Sequence, residues 1–225
     1  MDGVLFNKTK TILIQYPTAK TGAYTIPNSV TGISDFAFHT CIGLPSIIIP
    51  NSVTSIGSQS FYGCSSLISA TIGNSVTVIG YEAFRECSAL TFVTIGNSVT
   101  NIGESAFRGC SNLSTVNFNA VNCTDMGIEI YHHTNAGVYY SFSGCSKLTT
   151  INIGSEVTRI PTYGFSDCSG ITEIINHATM PQTIGSGAFN GVNKTTCTLR
   201  VPAASVADYQ AATGWEDFVH IAAIE

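Results

Sequence analysis

Cysteine recurs along this chain at a fixed interval. Cys41, Cys64, Cys87 and Cys110 are each 23 residues apart, Cys145 follows after 35, and Cys168 after another 23. Phenylalanine keeps the same clock at Phe38, Phe61, Phe84, Phe107, Phe142 and Phe165, with Phe189 after a step of 24. A constant period of this size marks stacked repeats. A unit of 23 residues cannot bury its own apolar face, so neighbouring units must share one core, each supplying a rung.

Two nearly identical copies, LISATIGNSVTVIGYEAFRECSA from Leu67 and LTFVTIGNSVTNIGESAFRGCSN from Leu90, set out the unit. Ser69-Ala70-Thr71-Ile72 alternates, which turns Ala70 and Ile72 inward and Ser69 and Thr71 outward. Asn74-Ser75 reads as a turn. Val76 and Ile79 fall on a second short extended piece, which Gly80 ends. Glu82-Ala83-Phe84 is expected to form one helical turn that drops Phe84 and Cys87 into the core, with Glu82 and Glu104 on exposed turn positions.

The phrases IPNSVTSIG and AFRGCSNL and the tail GAFNGVNKTTCTLRVPAASVADYQAATGW resemble the leucine-rich repeats, specifically the BspA-like group of bacterial and protozoan surface proteins, over nearly the whole chain. The turn Asn follows the first Leu by seven positions, Leu90 to Asn97, rather than the usual eight or so. The resemblance therefore carries over the coil but not a ladder of buried Asn side chains. It implies a right-handed leucine-rich-repeat-like solenoid of mostly short parallel β-strands with single helical turns. About seven 23-residue coils are expected, capped at both ends. It also implies a non-enzymatic, secreted or surface-anchored protein linked to adhesion and host contact, with a protein or glycan ligand derived from a host.

Residues 1–23 read as an N-terminal cap, with Val4-Leu5-Phe6 and Ile12-Leu13-Ile14 pairing as a β-hairpin around Asn7-Lys8-Thr9-Lys10. The repeat solenoid is assigned to residues 24–192, with a 12-residue insertion within about 119–140. Insertions in a solenoid map to one face, often the binding face. Residues 193–225 read as a C-terminal cap: a strand, a helix near Ala203 to Ala212 after Pro202, and Gly214 as a stop, with Val206, Tyr209, Trp215 and Phe218 covering the last coil. The chain opens without a basic start and apolar stretch, so the expectation is a fragment whose export signal has been removed.

Composition narrows the function classes. Charged residues are only 10%, against about 25% in ordinary soluble domains, while Ser and Thr number 51. Solubility rests on small neutral polar groups. With a net charge of −5 and no basic cluster, the chain lacks the cations that a phosphate backbone requires, so no nucleic-acid partner is expected. Purely apolar runs are four residues or fewer, so no membrane insertion is expected either.

Acids are scattered, with no paired carboxylates along one face, so the polysaccharide-active β-helix enzymes are a distant third reading. No GxSxG, HExxH or phosphate-loop pattern occurs, and no cofactor is expected. His132-His133, with Cys123, Asp125 and Glu129 nearby, is the only cluster resembling a metal site, but adjacent strand histidines face opposite ways, so none is assigned. The other histidines, His39 among them, show no partner pattern. The cysteine column presents a line rather than a converging set, and is read as small buried apolar residues.

The outward strand positions are the remaining functional candidates. Most are Ser, Thr or Asn, and among them stand the apolar Ile48, Phe92 and Ile175. The candidate partner-binding residues are Ile48, Phe92, Thr94, Thr115 and Asn117 on the concave sheet face, with Tyr131, Tyr139 and Tyr140 from the insertion at its border. The function expected is a monomeric, non-catalytic extracellular binding or adhesion module. The alternative is a passive spacer in a larger surface protein.

Overall fold

The computed structural model describes residues 3–127 and 140–225. The chain is a β-solenoid of about nine turns with little helix. One side is a nine-stranded parallel sheet, running from Tyr24–Thr25 through Ser46–Ile49, Ser69–Ile72, Phe92–Ile95, Thr115–Phe118, Thr150–Ile153, Glu173–Asn176 and Thr198–Val201 to His220–Ala223. The alternation read from the sequence is the alternation observed: Ala70, Ile72, Val93 and Ile95 are buried while Ser69, Thr71 and Phe92 look outward. Phe92 pairs in register with Ser69 on one side and Thr115 on the other.

The second side is a seven-stranded sheet of mostly two-residue strands such as Ser55–Ile56, Val78–Ile79 and Asn101–Ile102. At its N-terminal edge Leu5–Phe6 pairs antiparallel with Ile12–Gln15, whose other side pairs parallel with Gly32–Ile33. A pair formed by Arg159–Ile160 and Thr183–Ile184 follows beyond the insertion.

The third side corrects the expected helical turn. Within the repeats Ala83-Phe84 and its counterparts form no helix. Most coils carry two left-handed residues: Phe36, Gln59, Glu82, Ser105, Tyr163 and Gly187 in one column, and Thr40, Gly63, Glu86, Gly109, Gly144, Asp167 and Gly191 in another. A helical turn would spend its N–H groups within itself. Alternating hands aim every second N–H group at the next coil instead. Phe36, Phe38 and Thr40 donate to the carbonyls of Ser58, Ser60 and Tyr62 at 3.0, 2.6 and 2.7 Å, and Gln59, Phe61 and Gly63 donate likewise to Tyr81, Ala83 and Arg85. A left-handed non-glycine residue costs about 1–3 kcal/mol, and this third ladder offsets it. The α-helix that does form, Val206–Ala211, follows a 3-10 turn at Ala203–Ser205, close to the predicted span.

The core runs the length of the solenoid. Phe38, Phe61, Phe84, Phe107, Phe142, Phe165 and Phe189 stack with successive ring centroids 4.7 to 5.9 Å apart. The phenylalanine clock counted seven coils against about nine turns because other aromatics take over at the ends. Tyr16 stacks on Phe38 at 4.8 Å, and Trp215 sits 5.8 Å from Phe189.

All eight cysteines are buried thiols. Four of the column also donate. Cys64, Cys87, Cys110 and Cys145 direct their S–H at the carbonyls of Phe38, Phe61, Phe84 and Phe107 in the preceding coil, at 3.0 to 3.2 Å. The apolar-filler reading is thus incomplete: a weak donor is placed on four successive rungs.

At the C-terminal end Tyr209, Trp215 and Phe218 are buried. The Trp215 Nε1–H donates to the Gln182 carbonyl at 2.8 Å. Gln182 and Asn176 exchange two side-chain hydrogen bonds of 2.8 and 2.9 Å.

Candidate binding face

The outward face of the nine-stranded sheet consists of two columns. One runs Ser46, Ser69, Phe92, Thr115, Thr150; the next runs Ile48, Thr71, Thr94, Asn117, Asn152. Strand pleating turns these side chains away from the core, and the parallel register sets like positions side by side. Phe92 is 43% exposed and Ile48 is 48% exposed, whereas Thr94, Thr115 and Asn117 are half-buried between their neighbours. Ile48, Asn51, Thr71, Asn74, Phe92 and Thr94 line a shallow depression of about 460 Å³. Beside it, Asn152 donates through Nδ2 to Asn117 Oδ1 at 2.8 Å, and Asn117 donates through Nδ2 to Thr94 Oγ1 at 3.0 Å.

Charge enters the face only towards its C-terminal end. There Arg200 donates to Glu173 at 2.8 Å, and that hydrogen bond holds the guanidinium proton more firmly. Ile175 lies half-buried between Asn152 and Arg200 in register. The turn asparagines Asn51, Asn74 and Asn97 are exposed rather than stacked inside the coil.

Of the residues expected from the insertion, Tyr131 and Tyr139 lie outside the described residues, as do His132, His133 and Glu129. Tyr140 is half-buried, with its ring stacked on Tyr163 at 5.0 Å and its N–H donating to Ser143 Oγ at 3.0 Å.

One cluster was missed by sequence reasoning. Glu82 is not an exposed turn residue; it is 4% exposed. It accepts from Gln59 Nε2 at 2.8 Å and from the Tyr81 hydroxyl at 3.0 Å, and it pairs with Arg85. Burial, then the bond to Glu82, pushes Tyr81 up to about 12. The Arg85 guanidinium covers the Tyr62 ring at 5.5 Å, and Tyr62 stacks on His39 at 5.1 Å, so His39 has a partner after all. The available signal was the 23-residue spacing of Gln59 from Glu82, of His39 from Tyr62, and of Tyr62 from Arg85.

The chemistry of the thiols is restrained. Burial pushes Cys168 up to about 12 and Cys197 up to about 11, and raises Cys87, Cys110 and Cys145 as well. Among the described residues no group of three or more His, Cys, Asp or Glu could hold a metal ion, and no helix is long and apolar enough to cross a membrane.

The repeat order seen in space is also a family signature. The model of the BspA-type leucine-rich repeat region matches residues 16–137 and 121–210, in 6 copies. The chain belongs to this family. Its fold is similar to that of a T. pallidum leucine-rich-repeat protein, at 20% identity and a TM-score of 0.61, covering 84% of this chain and 85% of that one. It is also similar to a leucine-rich cell surface protein from Faecalibacterium prausnitzii, at 28% identity and a TM-score of 0.53, covering 78% of this chain and 38% of that one. The pneumococcal vaccine antigen PcpA shares the fold at 19% identity and a TM-score of 0.57, covering 100% of this chain and 47% of that one. The chain thus spans less than half the length of the last two. No curated protein sequence matches it.

Proposed function

We propose that this repeat protein is a non-catalytic binding module that works on a cell surface and engages its partner through the outward face of the nine-stranded sheet. The observation that carries the reading is Phe92. Its ring is half out of the core, in register between the hydroxyls of Ser69 and Thr115, on a strand whose burial is already supplied by Val93 and Ile95. An exposed ring without a packing role, on a rigid sheet, is a ready apolar anchor at low entropic cost. Ile48, Thr94, Thr115 and Asn117 form the ground around it, whereas Tyr140, stacked on Tyr163 of the turn side, stands away from this face. Residues 1–23 and 193–225 serve as end caps for a binding solenoid of 24–192. The partner is a macromolecule, protein or glycan, met by a monomer outside the cell. A relative described as a cell surface protein supports that location.

The test begins with a pull-down and a glycan array to find a partner, followed by calorimetry of wild type against Phe92→Lys. The variant is expected to lose about 1–2 kcal/mol of binding with an unchanged melting temperature. A folded variant that binds as tightly as wild type removes the site from this face. A spacer would show no saturable partner at all.

A further inference from the structure

The chemistry of the face distinguishes between classes of partner. Between Ser46 and Asn152 five neighbouring strands present ten outward positions: six hydroxyls, two amides, Ile48 and Phe92, with no charge among them. A charged partner docked here would lose water without meeting a counter-charge, which is costly. The cost falls equally on sulfated or carboxylated polymers and on a Lys- or Glu-rich protein surface. A neutral polyol escapes it, because each of its hydroxyls both donates and accepts.

The polar groups are also set before anything binds. The bonds from Asn152 to Asn117 and from Asn117 to Thr94 run in one direction across three coils. Each amide is thereby held in one orientation, and such chains reinforce themselves. The Thr94 hydroxyl, which accepts from Asn117, keeps its own hydrogen to donate, and Asn152 Oδ1 faces the other end as an acceptor. The array repeats along the solenoid axis with the strand spacing of about 4.8 Å, close to the advance of one sugar residue in an extended chain. Phe92 and the depression beside it supply an apolar surface for the C–H face of a sugar ring. A fixed array of this kind spares the ordering cost that a mobile surface would incur on binding.

We propose that the face between Ser46 and Asn152 binds a neutral polysaccharide laid along the solenoid axis, with a sugar ring on Phe92 and its hydroxyls on the Thr94–Asn117–Asn152 ladder. The inference rests on the reading of this face as the binding surface.

The experiment is affinity electrophoresis of the 225-residue chain in native gels containing neutral polymers (mannan, xylan, hydroxyethyl cellulose, galactan, starch) or charged ones (polygalacturonate, dextran sulfate). Retardation by at least one neutral polymer and by neither charged one is expected. Phe92→Ala and Asn117→Ala should each weaken it about tenfold, with melting temperatures unchanged. Retardation by none of the neutral polymers, or by the charged ones alone, overturns the inference. Retardation that both variants retain in full overturns the reading of the face as well. A protein partner lost on Phe92→Lys, with no neutral polymer bound, overturns the inference and leaves the proposed function standing.

Discussion

Replacing Phe84 by Ala removes an interior ring of the aromatic column, the third of its seven phenylalanines. The ring is fully buried and lies 4.8 Å from Phe61 and 5.3 Å from Phe107, with planes within 3° and 1° of parallel. Truncating a core Phe to Ala costs about 3–5 kcal/mol, and the value depends on how far the surroundings collapse into the hole. Here they cannot collapse far. The Phe84 N–H is tied to the Ala106 carbonyl at 2.7 Å, and the Phe84 carbonyl accepts from Cys110 at 3.2 Å, so the main chain on the next coil stays in place. We therefore expect about 4 kcal/mol, in the upper part of that range. Urea unfolding should show the loss as a lower midpoint. Two probes add information, because Trp215 reports the C-terminal end while far-ultraviolet circular dichroism reports the whole sheet. A weakened interior rung lets the two parts of a solenoid on either side of it melt separately, so the transitions, expected to coincide in the wild type, should separate in Phe84→Ala. Phe92→Ala is the control, with a loss below about 0.5 kcal/mol for an outward residue. Equal losses at the two positions, or less than about 1 kcal/mol at Phe84, would refute the inward and outward assignment on which the binding face depends.

Three further outcomes are expected. Glu82→Ala should cost about 1–3 kcal/mol, because Gln59, Tyr81 and Arg85 lose a shared buried acceptor; a neutral result in thermal unfolding would return Glu82 to solvent. Thiol titration of the unfolded, non-reduced chain should count eight thiols, while the native chain should alkylate slowly at neutral pH; a missing pair would mean a disulfide. Gly103→Ala should lower the melting temperature, because a Cβ there would sit 2.5 Å from the Tyr81 nitrogen and 2.6 Å from the Gly80 carbonyl carbon, backbone atoms that cannot swing aside; an unchanged transition would show that the coils are less closely stacked.

The parts of the fold that the sequence made legible are those where one residue's pattern decides its own environment. Period-two alternation turned Ala70 and Ile72 in and Phe92 out with no knowledge of the neighbouring coils, and the structure has them so. The turn side was harder because its conformation is decided between coils. Glu82 at φ 52 is unfavourable taken alone and is tolerated because its N–H reaches the Glu104 carbonyl at 3.0 Å. A local reading of Glu-Ala-Phe sees a good helix former and places the acid in solvent.

The correcting signal lay in the columns. At the position before cysteine the chain reads Thr40, Gly63, Glu86, Gly109, Gly144 and Asp167. A column that mixes glycine freely with polar residues is what a left-handed backbone position selects; a helical position would have disfavoured glycine. The same columnwise reading applies to the candidate face. Phe92 interrupts a column of Ser46, Ser69, Thr115 and Thr150. The fold tolerates a small hydroxyl at that position in four neighbouring coils, so the stacking of coils does not require the aromatic ring. What the ring adds is exposed apolar area next to a fixed ladder of neutral amides, and this is the physical content of the proposed function.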